Sequence, residues 1–371
     1  MRTLFLPAAF LVCQLLAAES PRDNTAAFID QVTEHFKAWD QDGNGKLSMS
    51  ELNAAAGNPK TEGAEAAAVA ALKRAQNPKL PAVELTLENI VKLAKTPPAA
   101  AEGPNFPKMY GEGLSKVGRA NRVLFASEIP QLSSLHQGRL GDCFCLAPLG
   151  AMLHRDPKQV QAMFHELPDG SGKCELVLGK RTVTVEMPTD TELALSSAAR
   201  RDGIWVNLYE KAVGQVRNDS KPEKDRTAEP LDAVARGGSA GTILALITGH
   251  EITRFGFKPF KDASLSAEQK AAKMKSLREQ LAAAVREKRL MTCGTITPTT
   301  PGLTPNHAYA ILDYDEKTDA VQLWNPHGNN FTPKGEPGLL NGYLHKNGIA
   351  SIPLADFVQQ FSGMAFEQGG K

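Results

Sequence analysis

Residues 137–147 read Gln-Gly-Arg-Leu-Gly-Asp-Cys-Phe-Cys-Leu-Ala. Gly141 permits a tight turn, Asp142 is a residue type that caps helices, and the apolar run behind them predicts a helix over 141–154. Cys143 then falls in the first turn, where the helix dipole favours the nucleophilic thiolate over the thiol. Six residues earlier, Gln137 offers a side-chain amide suited to joining the Cys143 backbone N–H in holding an oxyanion. A lone buried cysteine is ordinarily inert, so this reading needs a base to support it.

Such a base comes from far away in sequence, and two histidines compete for the role. His307 opens the apolar run 308–314, after a loop containing Pro298, Pro301 and Pro305; His327 follows Asn325-Pro326. Segments 308–314 and 320–324 read as the two strands of a hairpin around the turn 315–319. That pairing sets Asn325 beside His307, so His307 is expected to be the base and Asn325 the group that fixes its tautomer. Further helices are expected over 205–216 and 266–288. The second carries a Ser266/Gln269 capping box and a stripe of Met274, Leu277, Leu281 and Val285. Helices lead and short strands follow, which predicts an α+β architecture of two lobes with a cleft between them.

Upstream, residues 40–51 read Asp-Gln-Asp-Gly-Asn-Gly-Lys-Leu-Ser-Met-Ser-Glu. This is the pattern of a calcium-binding EF-hand loop, with oxygen ligands at positions 1, 3, 5, 7, 9 and 12 and a glycine at 6. The expected ligands are Asp40, Asp42, Asn44, the Lys46 carbonyl, Ser48 and Glu51, with Gly45 at the bend. Helices are expected on both sides, 25–39 before the loop and 63–74 and 87–93 after it. Leu85-Thr86-Leu87 echoes Leu47-Ser48-Met49, as in a paired hand, but its loop would begin at Pro78 and end on Asn89, without the carboxylates. One calcium ion is therefore expected. The Pro- and Ala-rich stretch 96–107 reads as a linker. A linker there separates the loop from the catalytic residues, which favours a tethering role for calcium over gating.

The 42 Lys and Arg residues almost balance the 41 Asp and Glu residues, and no basic block suggests nucleic acid or an anionic membrane as a partner. Arg2, the apolar run 4–16 and the small residues Ala17, Ala18 and Ser20 have the form of an export signal. The run is shorter than the roughly 20 apolar residues a membrane span requires. A secreted or periplasmic location follows as an expectation. Loss of the signal would remove Cys13 and leave Cys143, Cys145, Cys174 and Cys293, whose pairing the sequence leaves open.

The 137–147 segment resembles the active-site segment of the calpain family of papain-like cysteine peptidases, Gln-Gly-x-x-Gly-(Asn/Asp)-Cys-Trp-x-Leu-Ala. Further blocks are similar in the same order: Trp205 with 208–212, Gly237-Gly238-Ser239 with 246–249, Asn306-His307-Ala308-Tyr309, 323–328, and 352–361. The resemblance implies a papain-like two-lobed core behind a small all-α EF-hand domain. It also implies peptide-bond hydrolysis through a thioester, with Cys143 as nucleophile, His307 as base, Asn325 as orienter and Gln137 as oxyanion donor. The substrate would be a protein or peptide. The implied division is a signal at 1–18, an EF-hand pair at 22–95 with one functional loop, and a linker at 96–110. A helical lobe at 111–249 would carry Cys143, and a β-rich lobe at 250–371 would carry His307 and Asn325. Three residues depart from the pattern. Phe144 replaces the tryptophan after the nucleophile, Pro148 lies inside a helix it is expected to kink, and His327 replaces the tryptophan that covers the catalytic hydrogen bond in calpains. Two other uses of the sequence stay open: a silent calcium-binding relative, and an acyltransferase of transglutaminase type using the same thioester.

Overall fold

The computed structural model describes residues 24–76, 80–96, 103–167, 170–200 and 202–369. The expected signal at 1–18, Cys13, Pro78 and much of the expected linker lie outside them.

Five helices form the first layer: α1 (Asn24–Trp39), α2 (Met49–Gly57), α3 (Gly63–Ala75), α4 (Leu87–Lys95) and α5 (Phe106–Arg119). α1 buries Phe28, Val32, Phe36 and Trp39, the four-residue rhythm of one helical face. The Leu47 N–H donates to the Leu85 carbonyl at 3.0 Å, joining the loop before α2 to the segment before α4. α5 begins inside the stretch expected to be a linker and packs on α1 and α3.

The next region opens with α6 (Cys143–Arg155) and α7 (Pro157–Gln161). A three-stranded antiparallel sheet of β1 (Phe164–Glu166), β2 (Lys173–Leu178) and β3 (Arg181–Glu186) follows. Then come α8 (Asp190–Leu195), α9 (Trp205–Asp219) and α10 (Ala240–Thr248). α6 runs through Pro148 unbroken and buries every residue from Phe144 to Leu153. The last region comprises β4 (Ile252–Gly256), α11 (Lys258–Lys261), α12 (Ala267–Arg286), β5 (Met291–Thr295) and β6 (Ala308–Asp315). It ends with β7 (Ala320–Trp324), β8 (Ile349–Pro353), α13 (Leu354–Gln360) and β9 (Phe361–Glu367). Its six strands form one antiparallel sheet in the order β4-β9-β5-β6-β7-β8.

That sheet separates two cores, because successive side chains of a strand point to opposite faces. Ala308, Ala310 and Trp324 belong to the core that contains α6. Tyr309, Ile311, Val321 and Leu323 belong to the core that contains Leu277 and Leu281 of α12. Gly150 lies so close to the Trp324 indole that an added Cβ would sit 2.3 Å from its Cζ3. At the far end of α6, buried Glu367 of β9 receives the Arg155 guanidinium at 2.7 Å and the Leu290 N–H at 2.9 Å.

The first layer is not held apart from the catalytic region. The Gly63 N–H donates to Asp190 Oδ2 at 2.8 Å, Thr189 Oγ1 donates to the Ala56 carbonyl at 2.7 Å, and Lys73 pairs with Asp232 at 3.4 Å. This corrects the expected separation. The alanine-rich face of α3, buried from Ala66 to Leu72, needs apolar cover, and α5 and α8 supply it. The helices and antiparallel sheets give the mixed α and β architecture that the sequence predicts.

Candidate active site

Cys143 is the first residue of α6 and is partly exposed, whereas Cys145, Cys174 and Cys293 are buried. Helix initiation does not use the Asp142 side chain, which makes no capping bond. Its carboxyl turns inward against Glu210 of α9, where both residues are shut off from solvent. Burial first, then the Glu210 charge, hold the Asp142 carboxyl well above the ordinary carboxylate range. Lys116 of α5 lies nearby. Burial pushes its ammonium down to about 8, although Glu210 and Asp142 pull the other way. Glu210 also accepts from the Ser197 N–H, and Ser197 Oγ accepts from the Gly138 N–H at 3.0 Å. The loop carrying Cys143 thus stands on a buried polar network.

Asn306 has a φ of 47°, a left-handed conformation that asparagine tolerates better than most residues. It turns the chain into β6. The hairpin pairs Ala310 with Trp324 and Ile311 with Leu323, and so brings the next residues together. His307 Nε2 lies 2.7 Å from Asn325 Oδ1. The amide oxygen accepts, so Nε2 carries the proton and Nδ1 is left as the basic nitrogen. Asn325 is itself held: its Nδ2 donates to Asn329 Oδ1 at 3.1 Å, and its backbone N–H donates to the Gly348 carbonyl at 2.9 Å. Burial, and then His327, push His307 down to about 4 against the pull of its asparagine bond.

The two loops meet through the backbone, where the Gln137 N–H donates to the Pro326 carbonyl at 2.8 Å. The Gln137 side chain lies against the turn that precedes Cys143. Its Nε2 donates to the Leu140 carbonyl at 2.9 Å, and its Oε1 is buried without a partner. One of the two amide hydrogens thus braces the turn before Cys143. Phe144 packs its ring edge against Gly238 and its face under the Arg217 guanidinium, 4.6 Å from the ring centre.

Ligand atoms of Asp40, Asp42 and Glu51 lie within 4.8 Å of one another in the loop between α1 and α2. Asp40 Oδ2 accepts from the Gly45 N–H at 2.9 Å, while Oδ1 is buried without a partner. Asn44 Oδ1 accepts from the Lys46 N–H, and Ser48 caps α2 in a box with Glu51. An all-oxygen donor set of this kind, with an orphaned carboxylate oxygen, fits a hard divalent cation.

The buried pair of Asp142 and Glu210, with Lys116 beside it, escapes a reading of local pattern. The only sign of it in the sequence is a glutamate on the otherwise apolar face of the helix from Trp205. Among the described residues, no helix is long and apolar enough to cross a membrane. No curated protein matches the chain. A model of the calpain family cysteine protease matches residues 116–336. That span begins within α5 and ends beyond the Asn-Pro-His loop, so it takes in Gln137, Cys143, His307 and Asn325 and leaves residues 40–51 outside. It also covers more than half of the chain, which therefore belongs to the calpain family of cysteine proteases.

Proposed function

We propose that the protein is a calpain-like endopeptidase that cleaves peptide bonds through a thioester on Cys143. His307 takes the thiol proton on Nδ1 and later returns it to the leaving amine, and Asn325 holds the imidazole in the required tautomer. The Cys143 backbone N–H, at the positive end of its helix, is assigned to the developing oxyanion. The observation that carries this reading is the 2.7 Å contact between His307 Nε2 and Asn325 Oδ1. A silent relative has no use for a buried imidazole so oriented. The test is casein cleavage by the full chain. Cys143→Ala should abolish it, and His307→Ala should lower kcat/KM by at least about 10²-fold. Turnover surviving in Cys143→Ala would end the proposal. Formation of isopeptide bonds with a labelled amine, without cleavage, would shift the assignment to acyl transfer.

We further propose that the loop at 40–51 is an EF-hand binding one calcium ion through Asp40, Asp42, Asn44, the Lys46 carbonyl, Ser48 and Glu51. The clustered carboxylates and the orphaned Asp40 Oδ1 support this. Bound calcium would satisfy that oxygen and fix the loop between α1 and α2. The form of residues 1–18 supports an exported protein acting outside the cytosol.

A further inference from the structure

The ring of His327 lies face to face with that of His307, with centroids 4.5 Å apart and planes 8° apart. The His327 backbone N–H donates at 3.0 Å to Asn325 Oδ1, the same oxygen that receives His307 Nε2. His307 is only 6% exposed beneath this cover, whereas His327 presents its other side to solvent. The charged neighbour acting on it from the Cys143 loop is Arg139, which pairs with Glu112. The adjoining Gly328 packs against His136, which contacts Arg200. The two imidazoles therefore share a setting that is neutral or cationic on these sides.

We propose that His327 is a proton-sensitive cover for the catalytic imidazole. Neutral, its ring keeps water from the His307–Asn325 bond. Protonated from solvent through its exposed side, it sets a second positive charge one ring thickness from His307. Proton transfer from the Cys143 thiol to His307 Nδ1 then has to create an imidazolium against a like charge, and the thiolate–imidazolium pair fails to form. Burial, and then Arg139, hold His327 below its ordinary range, so the cover is neutral near pH 7 and switches only under acid conditions. His327 is a positioning and tuning residue on this account. The proposal rests on His307 being the base.

The test compares wild type with His327→Phe, which keeps a flat ring but no charge, and His327→Gln, which keeps neither. Two rates are followed from about pH 4 to about pH 8: kcat/KM on a peptide, and alkylation of Cys143 by iodoacetamide. The wild-type acid limb should fall with two protons and that of both variants with one. About one unit below the His327 titration, the Phe variant should retain about tenfold more of its plateau rate than wild type. One-proton limbs in all three proteins would overturn the proposal. If no peptide is cleaved, the alkylation profile decides alone, so failure of the peptidase reading stays distinguishable. A cover with a purely steric role would change the plateau in His327→Gln and leave every acid limb alike.

Discussion

The carboxyl groups of Asp142 and Glu210 meet in a site closed to water, one residue before Cys143. Burial and the Glu210 charge both oppose ionisation there, so the Asp142 carboxyl is held well above the ordinary carboxylate range and keeps its proton further up the pH scale.

This proton makes stability depend on pH. The folded-state pKa of Asp142 is raised above its unfolded value, so its stabilising contribution is complete in acid and is lost as pH rises through the folded value. Asp142→Asn keeps the shape without the titration. Urea midpoints measured near pH 6 and near pH 9 should therefore fall further in wild type than in the variant. Equal falls would show that Asp142 carries no proton in the native state.

Cysteine reactivity should be ordered by burial. The thiols of Cys145 and Cys293 are held well above their ordinary range by desolvation, and that of Cys174 is raised to about 11 by the same cause. Cys143, partly exposed at a helix start, should be alkylated first by iodoacetamide at neutral pH. Peptide mapping that finds any of the other three modified ahead of it would contradict the site.

Gly150 lets α6 lie against the sheet, since a methyl group there would overlap the Trp324 ring. Gly150→Ala should cost about 1–3 kcal/mol in urea unfolding. Because Trp324 precedes Asn325, kcat/KM should fall as well. Unchanged stability would mean that the indole has room to move.

Calcium should stabilise more than its own loop. At a hundredfold excess over Kd, a bound ligand adds about 2.7 kcal/mol to the folded state. Ala56 of α2 and Gly63 and Lys73 of α3 are bonded to Thr189, Asp190 and Asp232 of the protease domain, so the gain should appear in its unfolding as well. Glu51→Gln, which weakens the loop's closing ligand, should remove the calcium-dependent rise in Tm. A rise confined to a separate, early transition would restore the picture of a tethered module.

What the sequence disclosed was local in origin. The hairpin of β6 and β7 and the capping box before α12 follow from near-neighbour patterns, and the pairing of His307 with Asn325 follows from the hairpin. β2 alternates buried and half-buried residues from Lys173 to Leu178, a signal that was present but short, and the small sheet was not anticipated. Asp142 is the reverse case. Its residue type predicts a cap, but a partner 68 positions away on α9 claims the side chain. The docking of α3 was hidden for a similar reason, because a Pro- and Ala-rich stretch says nothing about where the helices on either side of it will pack.

β9 lies between β4 and β5, an interior place in the sheet filled by residues 361–367. A nascent chain on the ribosome therefore cannot close that sheet until residue 367 has emerged. By then the cysteine-bearing helix has been outside for more than two hundred residues of synthesis. Among the described strands, the one that completes the sheet carrying His307's neighbours is the last to be made. On the proposed assignment, nucleophile and base are thus separated in time, and the growing polypeptide has no assembled means of attacking itself or its neighbours.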